Sequence, residues 1–118
     1  MRLTREFNFE SAHNLEWHKG KCHDVHGHSY KLFITIKGEL NENDVVIDFA
    51  NFKKIINEKI VDKLDHKYLN DISYFKKNNP TSEVIAHFIH ESLSSRIKNK
   101  RIKVSVWETS SSSASFEK

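Results

Sequence analysis

The sequence predicts one α+β domain: a mainly antiparallel four-stranded sheet with two helices on one face. Two N-terminal stretches alternate apolar and polar residues with period two, two central stretches repeat apolar residues at helical spacing, and a late stretch returns to period two. Strands gathered first and helices after them favour α+β over an alternating βαβ architecture. At 118 residues the chain suits a single domain spanning 1–118, because either half would be too short to bury a useful core.

The elements follow in order. Phe7, Phe9, Ser11 and His13 share one parity, which in a strand means one face, so a first strand ends at His13. From 26 to 36 the even positions read His26, His28, Tyr30, Leu32, Ile34 and Ile36, and the odd ones are mostly small or polar, which gives a second strand. Residues 14–25, with Gly20 and Cys22 and no clean period, form the loop between them. After a turn-rich link, the apolar run Val45-Val46-Ile47 reads as a third strand. Asp48 is placed to cap a helix carrying Phe49, Phe52, Ile55, Ile56, Ile60 and Leu64. Residues 65–80 read as a polar connection, and Thr81 or Ser82 then caps a second helix with Val84, Ile85, Phe88, Ile89 and Leu93 on its apolar face. Ile102, Val104, Val106 and Glu108 line one side of a last long strand, and Ala114 to Phe116 allow a short one after it.

Composition narrows the function classes. Hydrophobic residues make up 37% and charged residues 30%, apolar enough to fold. No apolar run reaches the roughly 18 residues of a membrane span, and the N-terminus lacks the apolar core of a signal peptide, so a cytoplasmic protein without membrane contact is expected. A single cysteine leaves no internal disulfide. The net charge of +3 is weak support for a nucleic-acid partner, because 16 acidic residues are interspersed among 19 basic ones, and no nucleic acid is expected.

The eight histidines carry more information, since His18, His23, His26 and His28 crowd into one short segment around Cys22. His26-Gly27-His28 sets two imidazoles on one face of a strand within reach of one ion, with Gly27 expected to keep the space between them open. His13, at the end of a neighbouring strand, would join them if the strands pair. Three neutral imidazoles and an open fourth position make a catalytic zinc site. Cys22, four residues before His26, fits either a fourth ligand in a closed structural site or a thiolate base beside an open one, and spacing leaves both standing. Asp65-His66 pairs a carboxylate with an imidazole, as enzymes orient a general acid or base. Glu108 puts a carboxylate on an apolar strand face, where it needs a partner, such as adjacent N–H groups on the edge of a guanidine-like ring. His87 and His90 lie at i, i+3 on the second helix with no further ligand beside them and read as ordinary helix residues.

Six motifs in order resemble one known family: FNFESAH at 7–13, C-x3-HGHSY at 22–30, VIDF at 46–49, LDHKYLN at 64–70, NPTSE at 79–83 and WET at 107–109. Together they resemble the 6-pyruvoyl-tetrahydropterin synthases and, more closely, the 6-carboxy-5,6,7,8-tetrahydropterin synthases of the queuosine (7-deazapurine) pathway. The resemblance implies a tunnelling fold whose trimers close their sheets into a barrel and stack into a homohexamer, with active sites shared between subunits. It implies zinc held by His13, His26 and His28, Cys22 as catalytic base, Asp65 with His66 as a relay, and Glu108 as anchor of the pterin ring. Thr81 and Ser82 match the stretch lining the pterin pocket.

The implied lyase reaction converts 7,8-dihydroneopterin triphosphate to 6-carboxy-5,6,7,8-tetrahydropterin, releasing acetaldehyde and triphosphate, with no nicotinamide or flavin. Lys19 and Lys21 are candidates for holding the triphosphate. Three residues separate Cys22 from His26, whereas pyruvoyl-forming animal members typically have five, so the spacing favours the carboxy-forming branch. Two alternatives stand beside it: pyruvoyl formation by triphosphate elimination, and a non-catalytic zinc module in which Cys22 closes the site.

Overall fold

The computed structural model describes residues 1–118. Strands β1 (Arg2–His13) and β2 (His26–Lys37) pair antiparallel along all twelve residues, from Arg2 opposite Lys37 to His13 opposite His26. This register sets Phe7 against Leu32 and Phe9 against Tyr30 on the buried face, where the Phe9 and Tyr30 rings stack at 4.8 Å and 10°. A slip of one residue would turn the whole apolar set outward, so burial fixes the pairing. It also delivers the three histidines to one end of the sheet.

Helix α1 (Phe49–Ile56) begins where Asp48 accepts the Asn51 N–H at 3.0 Å, the expected N-cap. The chain then passes through a π-helical turn (Asn57–Val61) into α2 (Asp62–Leu64). Phe52 of α1 meets Phe7 edge-on at 6.1 Å, which docks this segment on the sheet. A two-residue strand β3 (Lys67–Tyr68) pairs parallel with Ser11 and Ala12, and the short helix α3 (Ser73–Lys77) follows. Thr81 caps α4 (Ser82–Ser94) by accepting the Val84 N–H at 3.2 Å. The chain closes with β4 (Arg101–Thr109) and β5 (Ser112–Glu117).

The sheet has five strands in the order β3-β1-β2-β4-β5, all antiparallel neighbours except β3. One face carries the helices and a single core that includes Phe9, Tyr30, Leu32, Ile34, Ile85 and Val104. On the other face Thr4, Glu6, Asn8 and Glu10 are exposed. The α+β expectation therefore holds, with three corrections. Val45–Ile47 is not a strand: it has no neighbour to pair with, the backbone folds back so that Asn41 N–H donates to Val45 O at 2.8 Å, and Val46 is used to plug the core. A strand instead lies within the supposed polar connection, at Lys67–Tyr68. The final strand runs from Ser112 to Glu117, longer than Ala114 to Phe116, because its hairpin register with β4 sets Phe116 opposite Val104.

Candidate metal centre

Directly opposed in the register, His13 and His26 meet across the sheet, and His28 sits two residues along the same face. Their Nε2 atoms and an oxygen of Glu108 lie within 4.8 Å of one another. His13 Nε2 is 3.0 Å from His26 Nε2 and 3.2 Å from Glu108 Oε1, and His28 Nε2 is 2.8 Å from that same oxygen. Thus the three ligands expected from the sequence come together, and Glu108 joins them.

Backbone carbonyls fix which ring nitrogens carry protons. His13 Nδ1 is 2.7 Å from the Pro80 carbonyl and His26 Nδ1 is 2.7 Å from the Asp24 carbonyl. A carbonyl only accepts, so both Nδ1 atoms donate, and the neutral rings are left with bare lone pairs on Nε2. Two lone pairs then face each other at 3.0 Å, an arrangement that repels unless a cation lies between them. His28 adds a second sign. Its Nε2 is shielded from solvent and lies 2.8 Å from Glu108, yet makes no hydrogen bond. Burial lowers the His28 pKa, against the opposing pull of Glu108, and so favours the neutral, ligating form. Imidazole nitrogens with one carboxylate, second nitrogens held by carbonyls, and an orphaned buried nitrogen fit a divalent metal such as zinc.

Glu108 reaches the centre by a β-bulge. Trp107 pairs with Ser113 and Thr109 with Ser112, so Glu108 is the extra residue, and such bulges re-aim a side chain. Its other oxygen has one long contact, from Ser82 Oγ at 3.5 Å. Of the two residues expected to line a pocket, Ser82 is therefore beside the centre, while the Thr81 hydroxyl is spent on the helix cap. Gly27, by contrast, does not hold the histidines apart. Parity puts it on the opposite sheet face, where an added Cβ would meet only the Ser11 carbonyl at an ordinary 3.7 Å.

Asp65 and His66 clamp onto β1. Asp65 Oδ1 accepts the Glu10 N–H at 2.8 Å, the largest cause of its lowered pKa, and Oδ2 lies 2.9 Å from His66 Nδ1. His66 adopts a left-handed φ of 56° and returns its own N–H to the Glu10 carbonyl at 2.6 Å. Its exposed ring and His28 line one groove of about 510 Å³, together with Glu10, Lys67 and Tyr68. Cys22 lies outside the metal-ligating group, half-buried in a 3₁₀ turn at Lys21–His23. Its loop is tied back where Leu15 N–H donates to Cys22 O at 2.8 Å and Asn14 and Asn70 exchange two hydrogen bonds of 3.0 Å.

Sequence reasoning missed Pro80 and Asp24, whose carbonyls orient His13 and His26; no side-chain pattern signals a carbonyl's direction. It also missed Lys67 in the groove. His18 accepts the Gly20 N–H at 2.8 Å, and His87 and His90 pack on Phe116; all three lie outside the donor cluster.

Residues 2–118 match the profile of the family described as 6-pyruvoyl tetrahydropterin synthase. The chain belongs to this family. A protein named 6-carboxy-5,6,7,8-tetrahydropterin synthase from Haemophilus influenzae is 31% identical, covering 98% of both chains. One named 6-pyruvoyl tetrahydrobiopterin synthase from Dictyostelium discoideum is 36% identical over 91% of this chain and 88% of its own length. The solved 6-pyruvoyl tetrahydropterin synthase of Caenorhabditis elegans superposes with a TM-score of 0.88 at 28% identity, over all of this chain and 95% of its own. The tunnelling fold implied by the motifs is thus the fold observed, and the chain is an enzyme of the pterin synthase family.

Proposed function

We propose that this enzyme converts 7,8-dihydroneopterin triphosphate and water to 6-carboxy-5,6,7,8-tetrahydropterin, acetaldehyde and triphosphate, with zinc held by His13, His26 and His28. The observation that carries the zinc assignment is the convergence of bare Nε2 atoms whose partner nitrogens are locked by carbonyls. The carboxy-forming product is supported by the three-residue spacing between Cys22 and His26 and by the name of the Haemophilus relative.

Zinc would supply a Lewis acid that acidifies side-chain hydroxyls and polarises the neighbouring carbon. The chain's own groups supply the rest. Cys22 takes a proton from the substrate side chain as base. Asp65 holds His66 by its Nδ1, leaving Nε2 to exchange protons across the groove. Glu108 and Ser82 receive the pterin ring, and fixing it aligns the side chain with the metal. Hydride acceptors are not needed, because oxidation of the side chain is balanced by reduction of the dihydropterin ring. The exposed setting of His66 supports a site completed by other copies in a homohexamer, and a cytoplasmic role in the queuosine pathway is supported by the motif resemblance to the carboxy-forming branch.

The Dictyostelium relative's name favours a second reading, triphosphate elimination with all three side-chain carbons retained. Mass analysis of products from zinc-loaded protein and dihydroneopterin triphosphate decides between them. Acetaldehyde with a carboxylated tetrahydropterin is the expected result, a pyruvoyl product supports the alternative, and no turnover refutes both.

A further inference from the structure

Glu108 is in a chemically unsatisfied position for a residue whose only task is to read a ring. Its Oε1 lies 3.2 Å and 2.8 Å from two Nε2 atoms, and neither contact is a hydrogen bond. An anion and imidazole lone pairs pointing at one place without a proton between them are the donor set of a metal, four atoms within 4.8 Å. The bulge at Trp107–Thr109 spends a ladder position to aim the side chain there, while Oε2 has only the long contact from Ser82. Both oxygens also match the fork of adjacent N–H donors on a pterin's pyrimidine edge. A carboxylate whose two oxygens accept from that fork has those oxygens engaged by N–H donors, which compete with a metal for them.

We propose that Glu108 is the fourth metal donor in the substrate-free enzyme and leaves the metal when a pterin ring binds, so that the coordination position opens only after the ring is recognised. The donor half stands on the geometry alone, and the release half rests on the pterin reading above. The device keeps the Lewis-acidic position closed to stray anions and ties its exposure to a correctly seated substrate. It carries a thermodynamic consequence. If the ring and the metal compete for Glu108, metal weakens binding of the bare ring and the ring weakens the metal by the same factor.

Cobalt(II) in place of zinc reports the donor set through its visible absorption, and pterin lacking the C6 side chain serves as ring probe, its binding followed separately by fluorescence. The parent protein is expected to change its cobalt bands in step with pterin binding, and metal-free parent to bind pterin more tightly than metal-loaded parent. Glu108→Gln should show altered cobalt bands without pterin and weaker metal affinity by at least the roughly tenfold that loss of even an outer-shell partner costs. Circular dichroism confirms that this variant is folded. Unchanged bands and unchanged metal affinity in Glu108→Gln overturn the donor assignment. Pterin binding to the parent without any change in the bands overturns the release. If pterin does not bind at all, the release falls together with the pterin reading, while the bands of Glu108→Gln still judge the donor half independently.

Discussion

Replacing Asp65 by Asn tests whether the clamp on β1 works through charge. In the native chain Oδ1 accepts the Glu10 N–H at 2.8 Å and Oδ2 meets His66 Nδ1 at 2.9 Å. Hydrogen bonds to a charged group are worth about 1.5–3 kcal/mol when protected from water. Here the carboxylate is 34% exposed and the imidazole 79%, so the ion-pair part shrinks to well under about 1 kcal/mol and the backbone contact dominates. The amide still offers one oxygen to Glu10 but no charge, so the variant should lose about 1–2 kcal/mol at pH 7. With unfolding entropy of roughly 2.1 cal/mol/K per residue over 118 residues, the melting temperature should fall by about 4–8 °C. The effect is pH-dependent with a definite sign. Asp65 has a folded pKa below its unfolded value of about 3.9, so its contribution is full above pH 4 or so and disappears as pH falls through the folded pKa. Urea denaturation of parent and variant at matched metal load, from pH 7 down to pH 3, should show the gap narrowing below about pH 4. A gap that stays constant over this range, or none at pH 7, refutes a charge-assisted clamp. In the proposed relay the same variant loses the partner that orients His66, and turnover should drop by about 10²-fold or more.

Three further outcomes are expected. Cys22→Ala should keep its full complement of zinc by elemental analysis and lose turnover, because the sulfur lies outside the donor cluster; stoichiometric loss of zinc would instead make it a ligand. Gly27→Ala should fold with stability within about 1 kcal/mol of the parent by denaturant titration and retain metal, since its Cβ meets nothing closer than 3.7 Å; a loss of several kcal/mol would show that the sheet tolerates no side chain there. Phe9→Ala removes a fully buried ring stacked on Tyr30 and should cost about 3–5 kcal/mol, read from the urea midpoint, and a cost near zero would contradict the core as described.

How much of this was legible in the sequence depends on the length of each signal. β1 and β2 each keep one parity for many residues, and a parity run of that length has one consistent structural meaning. Val45–Ile47 offers only three apolar residues, too few to separate a strand from a core plug, and pairing partners are a tertiary property. β3 is two residues long and held by Ser11 and Ala12 of another strand, so no local pattern encodes it. The π-helical turn is hidden for a different reason: Ile56, Ile60 and Leu64 recur every four residues, and that spacing fits an unbroken helix as well as the widened one.

At the candidate metal centre the same division separates which residues gather from the state of their donor atoms. Histidines two apart on a strand declare a shared face, and the full-length register of β1 with β2 then brings His13 opposite His26. Their tautomers depend on the carbonyls of Pro80 and Asp24, contributed by a helix approach and a loop that no pattern around the histidines reveals. Glu108 shows the difference most sharply. Parity places its carboxylate on the face of Val104 and Val106, but a regular strand and a bulged one share that parity up to Trp107, and the offset of Thr109 against Ser112 is not written in the local pattern. An anomaly visible in sequence, a charge on an apolar face, thus singled out the residue that the structure sets beside the three histidines, while the atoms it meets there are a tertiary property.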